Sequence, residues 1–245
     1  MKEFDNKVVL VTGGGTGIGK AIASEFVAAG ARVVIVGRRK DVLVQTSSEF
    51  GSSGAYITGD ISKSGEAKKF VSETIETFGS LDILINNAGT ASLCPLADVS
   101  DDEISQIFRT NVMGPMSLCR EAFPFLKKSQ GSIINISTTM TKGVVPGSAV
   151  YSSSKAALDH MTRILAAEFG PSGVRVNAVA PGLTVTDMTK EARNDDEMMN
   201  MIISQTPMGR IGEPAEIASA VLMMSSMKAA WVTGQILQAG GGIML

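Results

Sequence analysis

The sequence predicts a doubly wound α/β fold: a parallel sheet with helices on both faces, in one domain covering residues 1–245. Three observations lead there. Short β-branched runs recur along the chain, segments with helical spacing separate them, and a glycine cluster stands where the first run gives way to the first helix. A strand buried on both faces reads as a continuous apolar run rather than an alternating one. Right-handed crossovers through the intervening helices then place helices on both sides of the sheet.

Val8–Val11 is the first run. Arg32–Val36, Ala55–Thr58, Leu81–Ile85, Ser132–Ile136, Val174–Val179 and Gln235–Leu237 follow. Helical spacing appears in Ile18-Ile22-Phe26 and in Phe70-Ile75-Phe78, where apolar residues recur at about one turn. No fixed-period repeat and no low-complexity linker interrupts the alternation. Gly143–Ala149 and Leu183–Pro207 are expected to be the mobile or elaborated parts. The second holds Met198, Met199 and Met201, a pattern that suits an adaptable apolar helix face.

Composition narrows the function classes. The 245 residues carry 22 Lys plus Arg against 24 Asp plus Glu, a net charge of −2, which argues against a broad nucleic-acid face. A hydrophobic fraction of 44% supports a sizeable core and excludes a disordered chain. No apolar run approaches the roughly 20 residues a membrane helix needs. The first residues carry both charge signs, unlike a secretory signal. Two cysteines, Cys94 and Cys119, are too few for a disulfide scaffold and point to a reducing cytoplasm. With His160 as the one histidine and no Cys-x-x-Cys pair, no metal site is expected. His160 itself reads as a core-helix or surface residue.

The first run leads into Thr12-Gly13-Gly14-Gly15-Thr16-Gly17-Ile18-Gly19, and a helical pattern follows at once. Glycine admits positive φ and close approach of a diphosphate. The helix start offers free N–H groups and the positive end of its dipole. In that position, Gly13, Thr16, Gly17, Ile18 and Gly19 form a dinucleotide cradle of the Rossmann type.

The spacing Thr-Gly-x-x-x-Gly-x-Gly resembles that of the short-chain dehydrogenase/reductase family, and the likeness runs the length of the chain. Asn86-Asn87-Ala88-Gly89 resembles the family's Asn-Asn-Ala-Gly motif, Asn111 its helix asparagine, and Tyr151-Ser-Ser-Ser-Lys155 its Tyr-x-x-x-Lys. Pro181-Gly182, with Thr184 and Thr186 beyond, resembles the loop that closes over the nicotinamide. Pro207–Pro214 and Val232–Gln235 continue the likeness. The resemblance implies a nicotinamide cofactor held by Asn86, Gly89, Tyr151, Lys155, Gly182, Thr184 and Thr186, with Asp60 and Ile61 facing its adenine. It also implies a homotetramer. The apolar Ile243-Met244-Leu245 would be exposed in a monomer, which agrees with burial in a partner.

NAD-selective sites carry a carboxylate at the end of the second strand. Here Val36-Gly37-Arg38-Arg39 stands there, with no carboxylate before Asp41. Arg38 can pair with a 2′-phosphate, so NADP(H) is preferred over NAD(H); alternatively both arginines only solvate the loop.

Tyr151 and Lys155 are four apart, on one face of a helix. An unperturbed tyrosine has a pKa near 10, and a neighbouring ammonium would stabilise its phenolate. The phenol would protonate a carbonyl oxygen while a hydride arrives from the cofactor. The family has serine thirteen residues before this tyrosine. Here Thr138 stands there and takes the substrate-bonding role, with Ser137 the fallback. Asn111 lies in an apolar stretch with Ile107, Phe108, Val112 and Met113 and needs hydrogen-bond partners. In the family it kinks the helix and links the lysine to solvent.

Ala91–Leu96, Met140–Val145 and Leu183–Met201 would form the substrate pocket, mostly apolar or small, with no arginine expected to fix a carboxylate. A small, uncharged ketone or secondary alcohol is the expected substrate. A 3-oxoacyl thioester reductase is the alternative, and a dinucleotide-sensing protein without turnover is a third reading.

Overall fold

The computed structural model describes residues 2–244. Seven strands form one parallel sheet in the order β3-β2-β1-β4-β5-β6-β7: β1 Val8–Thr12, β2 Arg32–Gly37, β3 Gly54–Thr58, β4 Ile83–Asn86, β5 Ser132–Ile136, β6 Arg175–Pro181 and β7 Ile236–Ala239. The register is continuous across the centre, with Val9 opposite Val33 on one side and Ile83 on the other. All five residues of β1 are buried, because side chains alternate between two cores. Val9 and Val11 join Ile22, Phe26, Val33, Ile35, Ile217 and Val221 on one face. Leu10 joins Val34, Phe70, Leu84, Leu118, Leu126 and Val176 on the other. The sequence reads as unbroken apolar runs for this reason.

On the first face lie α1 (Gly17–Ala28) and α9 (Pro214–Ser225). Ile22 and Phe26, one turn apart in α1, are fully buried there. On the second face lie α3 (Glu66–Phe78), α5 (Gly114–Ser129) and α6 (Ala149–Phe169), and α2 (Lys40–Ser48) packs beside β3. α4 (Asp101–Phe108) begins at Ser100, whose hydroxyl accepts from Glu103 N at 3.2 Å. Between α4 and α5, Arg109–Met113 winds as a π-helical turn. The inserted residue turns Asn111 inward, where its side chain is fully buried.

Strand positions agree with the sequence pattern to within two residues. The fourth begins at Ile83 rather than Leu81: Asp82 there is spent on β1, accepting from Val8 N at 2.9 Å and from Lys7 Nζ at 3.0 Å. Leu183–Pro207 forms a lid of two helices, α7 (Lys190–Arg193) and α8 (Asp196–Ser204), and Asp195 caps α8 by accepting from Met198 N at 2.9 Å. No helix among the described residues is long and apolar enough to cross a membrane.

The last described residues depart from expectation. Ile243 is buried against its own chain, beside Gly182 and Gly240, and Met244 lies over Gly143. The tail is therefore covered by its own domain and gives no support for assembly. Leu245 falls outside the described residues.

Candidate active site

The strand order reverses between β2 and β4, on either side of β1, and the carboxyl ends of the strands leave a crevice there. The glycine loop leaves β1 into it and Asn87-Ala88-Gly89 leaves β4 into it. One hydroxyl ties the two exits together. Thr12 Oγ1 donates to Ile85 O at 3.3 Å and accepts from Asn87 N and Ala88 N, each at 3.0 Å. Asn87 Nδ2 returns the tie, donating to Thr12 O at 2.9 Å and Gly13 O at 3.2 Å.

Gly13 adopts φ +65°, and a Cβ there would come 2.9 Å from Asn87 Nδ2. Gly17 adopts φ +54° at the first residue of α1, with the Thr186 methyl 3.3 Å from where its Cβ would be. Both positions need glycine, for conformation and for space. The loop carries no side chain toward the crevice at these points and leaves room for a diphosphate at the start of α1.

The crevice opens into a cleft of about 860 Å³ that runs to Tyr151 and the lid. Gly13, Thr16, Gly17, Ile18, Gly19, Arg38, Asp60, Ile61, Gly89, Thr138, Tyr151, Lys155, Gly182, Thr184 and Thr186 all line it. Asn86 does not, and this corrects the sequence assignment. The strand alternation buries its amide beneath the sheet, where Nδ2 donates to Asn135 Oδ1 at 2.8 Å and meets Cys119 Sγ at 3.4 Å. Asn87 lines the cleft instead. Cys119 is also sealed in the core, and burial pushes its thiol up to about 12.

At the adenosine end, Arg38 and Arg39 are both exposed at the rim. Arg39 NH2 donates to Thr16 Oγ1 at 3.4 Å, a contact with the loop that the sequence did not reveal. No carboxylate lines the cleft between Val36 and Leu43. Asp60 accepts from Ser62 N at 3.0 Å and Ser62 Oγ at 2.8 Å. Burial raises its carboxyl, but the Ser62 bonds and the Arg38 charge outweigh this and hold it below the usual range.

At the other end, α6 presents Tyr151 and Lys155 on successive turns. Lys155 Nζ donates to Ile136 O at 2.7 Å at the end of β5. Gly89 lies beside it: a Cβ there would be 3.5 Å from Lys155 Nζ and 3.4 Å from Asn111 Oδ1. Burial pulls the Lys155 ammonium down to about 8, partly opposed by Asp159 one turn on. Burial pushes the Tyr151 phenol above its ordinary value, and a hydrogen bond with the Thr138 hydroxyl pulls it partly back. The expected lowering by Lys155 is not met in the protein alone: burial sets the direction of the Tyr151 shift, and the ammonium is directed at Ile136 O.

Thr138 also accepts from Met140 N at 3.3 Å, which fixes its rotamer. Ser137 and Thr138 both line the cleft, and the Ser137 hydroxyl is buried without a hydrogen-bond partner. Asn111 stands behind the cleft rather than on it. Its Nδ2 donates to Thr90 O at 2.8 Å and Ser154 Oγ at 3.0 Å, and its Oδ1 accepts from Thr90 N at 2.9 Å.

The loop over the cleft is pinned by Thr189, whose Oγ1 donates to Thr184 O at 2.6 Å and accepts from Thr186 N at 3.2 Å. On the substrate side stand Ala91, Leu93, Met140, Val144, Val145, Leu183, Met188, Met198 and Met201, all within the expected segments. Cys94 is absent from this wall, its amide spent on Gly147 O at 2.8 Å. Ile243 and Met244 complete the wall, and nothing in their spacing in the sequence announced it. Among the described residues, no group of three or more His, Cys, Asp or Glu side chains is placed to hold a metal ion.

A family model described as Enoyl-(Acyl carrier protein) reductase matches residues 13–244. The chain is 37% identical over 248 residues to glucose 1-dehydrogenase of Gluconobacter oxydans, covering 99% of this chain and 93% of that one. It is 37% identical over 253 residues to versicolorin reductase 1 of Dothistroma septosporum, covering 98% and 96%. A crystal structure of a short-chain dehydrogenase/reductase from Brucella melitensis, titled glucose/ribitol dehydrogenase, superposes with a TM-score of 0.93 at 35% identity, covering 98% of both chains. The chain belongs to the short-chain dehydrogenase/reductase family of oxidoreductases, which use a nicotinamide dinucleotide. The donor set fits that cofactor: a glycine-rich loop at a helix start and a Tyr–Lys pair in the same cleft.

Between pH 8 and 10.5 the unfolded chain holds a proton at Lys155 that the folded chain releases, since its folded value is about 8. The stability penalty of this buried charge is complete below about 8 and is relieved as pH rises. Urea midpoints of the parent should therefore rise with pH over this window relative to those of Lys155→Met. Parallel curves for the two proteins would contradict the burial of the ammonium.

Proposed function

We propose that this oxidoreductase transfers a hydride between NADP(H) and the carbonyl or secondary alcohol carbon of a small, uncharged substrate, as a carbonyl reductase does. The placement of Thr138, Tyr151 and Lys155 in the same cleft as the glycine loop carries this reading. When bound, the nicotinamide supplies or accepts the hydride. A phenol kept protonated by burial is the acid that a ketone oxygen needs, and Tyr151 donates its proton to that oxygen. Thr138 donates a second hydrogen bond to the same oxygen and fixes its position. Lys155 places a positive charge behind the phenol and stabilises the phenolate that remains. In the oxidising direction the phenolate takes the alcohol proton. Asn111 holds Ser154 and the Thr90 backbone, which frame the lysine.

Preference for NADP(H) over NAD(H) rests on the two exposed guanidinium groups at the end of β2 and the absence of a carboxylate among the cleft residues there. A 2′-phosphate gains charge-assisted bonds from Arg38 and Arg39 and meets no like charge. The apolar wall favours a ketone without charged groups. A carrier-bound thioester is less favoured: family reductases that accept one often carry basic residues at the equivalents of Ser129 and Ser172, and both are serine here, although Lys127 and Lys128 lie close by. A protein that only senses the dinucleotide would not need the Tyr151–Thr138 pair. A homotetramer is proposed on Met113, Met116 and Ile164, large apolar side chains of the α4–α5 and α6 helices that are each about half exposed. A cytoplasmic setting is proposed with it, because Cys94 and Cys119 are both free thiols.

Tyr151→Phe should bind NADPH as the parent does and lose about 10²–10⁴ in kcat on any ketone the parent reduces. Retained turnover would remove Tyr151 from the mechanism. Arg38→Asp should invert the ratio of kcat/KM for NADPH over NADH, and an unchanged ratio would leave Arg38 a rim residue. Sedimentation equilibrium should give about four times the 25.6 kDa of one chain, and a monomer mass would exclude the tetramer.

A further inference from the structure

We propose that Met244, seated over Gly143, is a specificity-determining residue of the substrate pocket that limits the width of the apolar flank, favouring ketones with alkyl or single-ring aryl flanks over broader ones. The inference rests on the carbonyl-reductase reading above and names its substrate class.

After β7 the chain reverses through Gly241 at φ +63° and Gly242 at φ +90° and returns over the ends of β5 and β6. Ile243 anchors the return: its Cγ2 lies 3.3 Å from where a Gly182 Cβ would be and 3.1 Å from where a Gly240 Cβ would be. Met244 then takes φ +58°, the left-handed conformation a non-glycine residue rarely adopts. Its direction is set by what it packs on. That support is Gly143, where a Cβ would fall 2.6 Å from the Met244 sulfur, 3.1 Å from its Cγ and 3.2 Å from its Cε. The thioether thus fills the side-chain space that position 143 leaves empty.

Both Ile243 and Met244 line the cleft, with Thr138, Val145 and Tyr151. Met188, Met198 and Met201 of the lid region line it as well. The seat of Met244 therefore sets the width of the pocket beside the reacting carbonyl. Unbranched, polarizable thioethers follow the outline of flat or irregular apolar groups. A polyol would lose hydration against this wall without gaining partners for its hydroxyls.

The test uses the full chain with NADPH and three ketones of rising width: 2-butanone, acetophenone and 2-acetonaphthone. Cofactor binding is followed by the emission of NADPH itself, because Trp231 is fully exposed and does not line the cleft. Met244→Ala should raise kcat/KM for acetonaphthone over butanone by about tenfold, the scale of discrimination a few methylenes provide. Met244→Leu, close in volume, should stay within about twofold of the parent. Gly143→Ala should push the thioether into the pocket and lower the ratio about fivefold or more. In the double variant Gly143→Ala/Met244→Ala that loss should vanish, because the added methyl then fills the vacated space. An unmoved ratio in Met244→Ala with parent-like NADPH binding would overturn the proposal, as would additive effects in the double variant. If the parent reduces none of the ketones with NADPH or NADH, the proposed function fails and this assignment with it.

Discussion

A single buried hydroxyl joins the two strands on which the site is built. β1 and β4 lie side by side, but their crossovers leave in opposite directions, and nothing in a parallel ladder holds their exits together. Thr12 Oγ1 spans the gap with three hydrogen bonds, and Asn87 answers with two more. Such buried bonds contribute about 1 kcal/mol each when made and cost more when one partner is lost. They hold the glycine loop at the start of α1 and set Ala88 and Gly89 against it. Gly89 in turn lies beside Lys155 and Asn111, so the phosphate end and the catalytic end are registered through one clamp.

Electrostatics at the catalytic end are set by burial. Removing Lys155 from water lowers its value from 10.5 to about 8, which corresponds to roughly 3 kcal/mol of disfavoured charge. One bond to Ile136 O and the field of Asp159 offset part of that cost. The same burial keeps the Tyr151 phenol protonated, as the proposed acid requires. The π-helical turn at Arg109–Met113 serves this arrangement, since it turns a polar amide into the core and gives it three hydrogen bonds there.

The substrate side is made differently. Its wall is made of many apolar side chains, drawn from the loop after β5, the lid helices and the tail after β7. The rigid half of the cleft belongs to the strand ends, and the adaptable half to segments that need only be apolar and well placed. The two halves meet at Thr138 and Tyr151.

Much of this was legible in the amino-acid order. Unbroken apolar runs such as Val8–Val11 are strands because a parallel sheet buries both their faces, and that constraint acts locally. The glycine loop and the Tyr-x-x-x-Lys pair were legible for the same reason: φ values at Gly13 and Gly17 and the four-residue turn of a helix are local geometry. Asn86 and Asn87 could not be told apart until the strand alternation was known, for adjacent side chains face opposite sides and the phase depends on where β4 starts. The direction of the Tyr151 shift followed from how much protein surrounds it, which no spacing records. The place of Met244 was not encoded in any local pattern: it depends on a chain reversal through glycines and on an empty position 101 residues earlier, at Gly143. Local sterics and periodicity act within a few residues and can be read along the chain, whereas burial and contact between distant segments exist only once the sheet has brought them together.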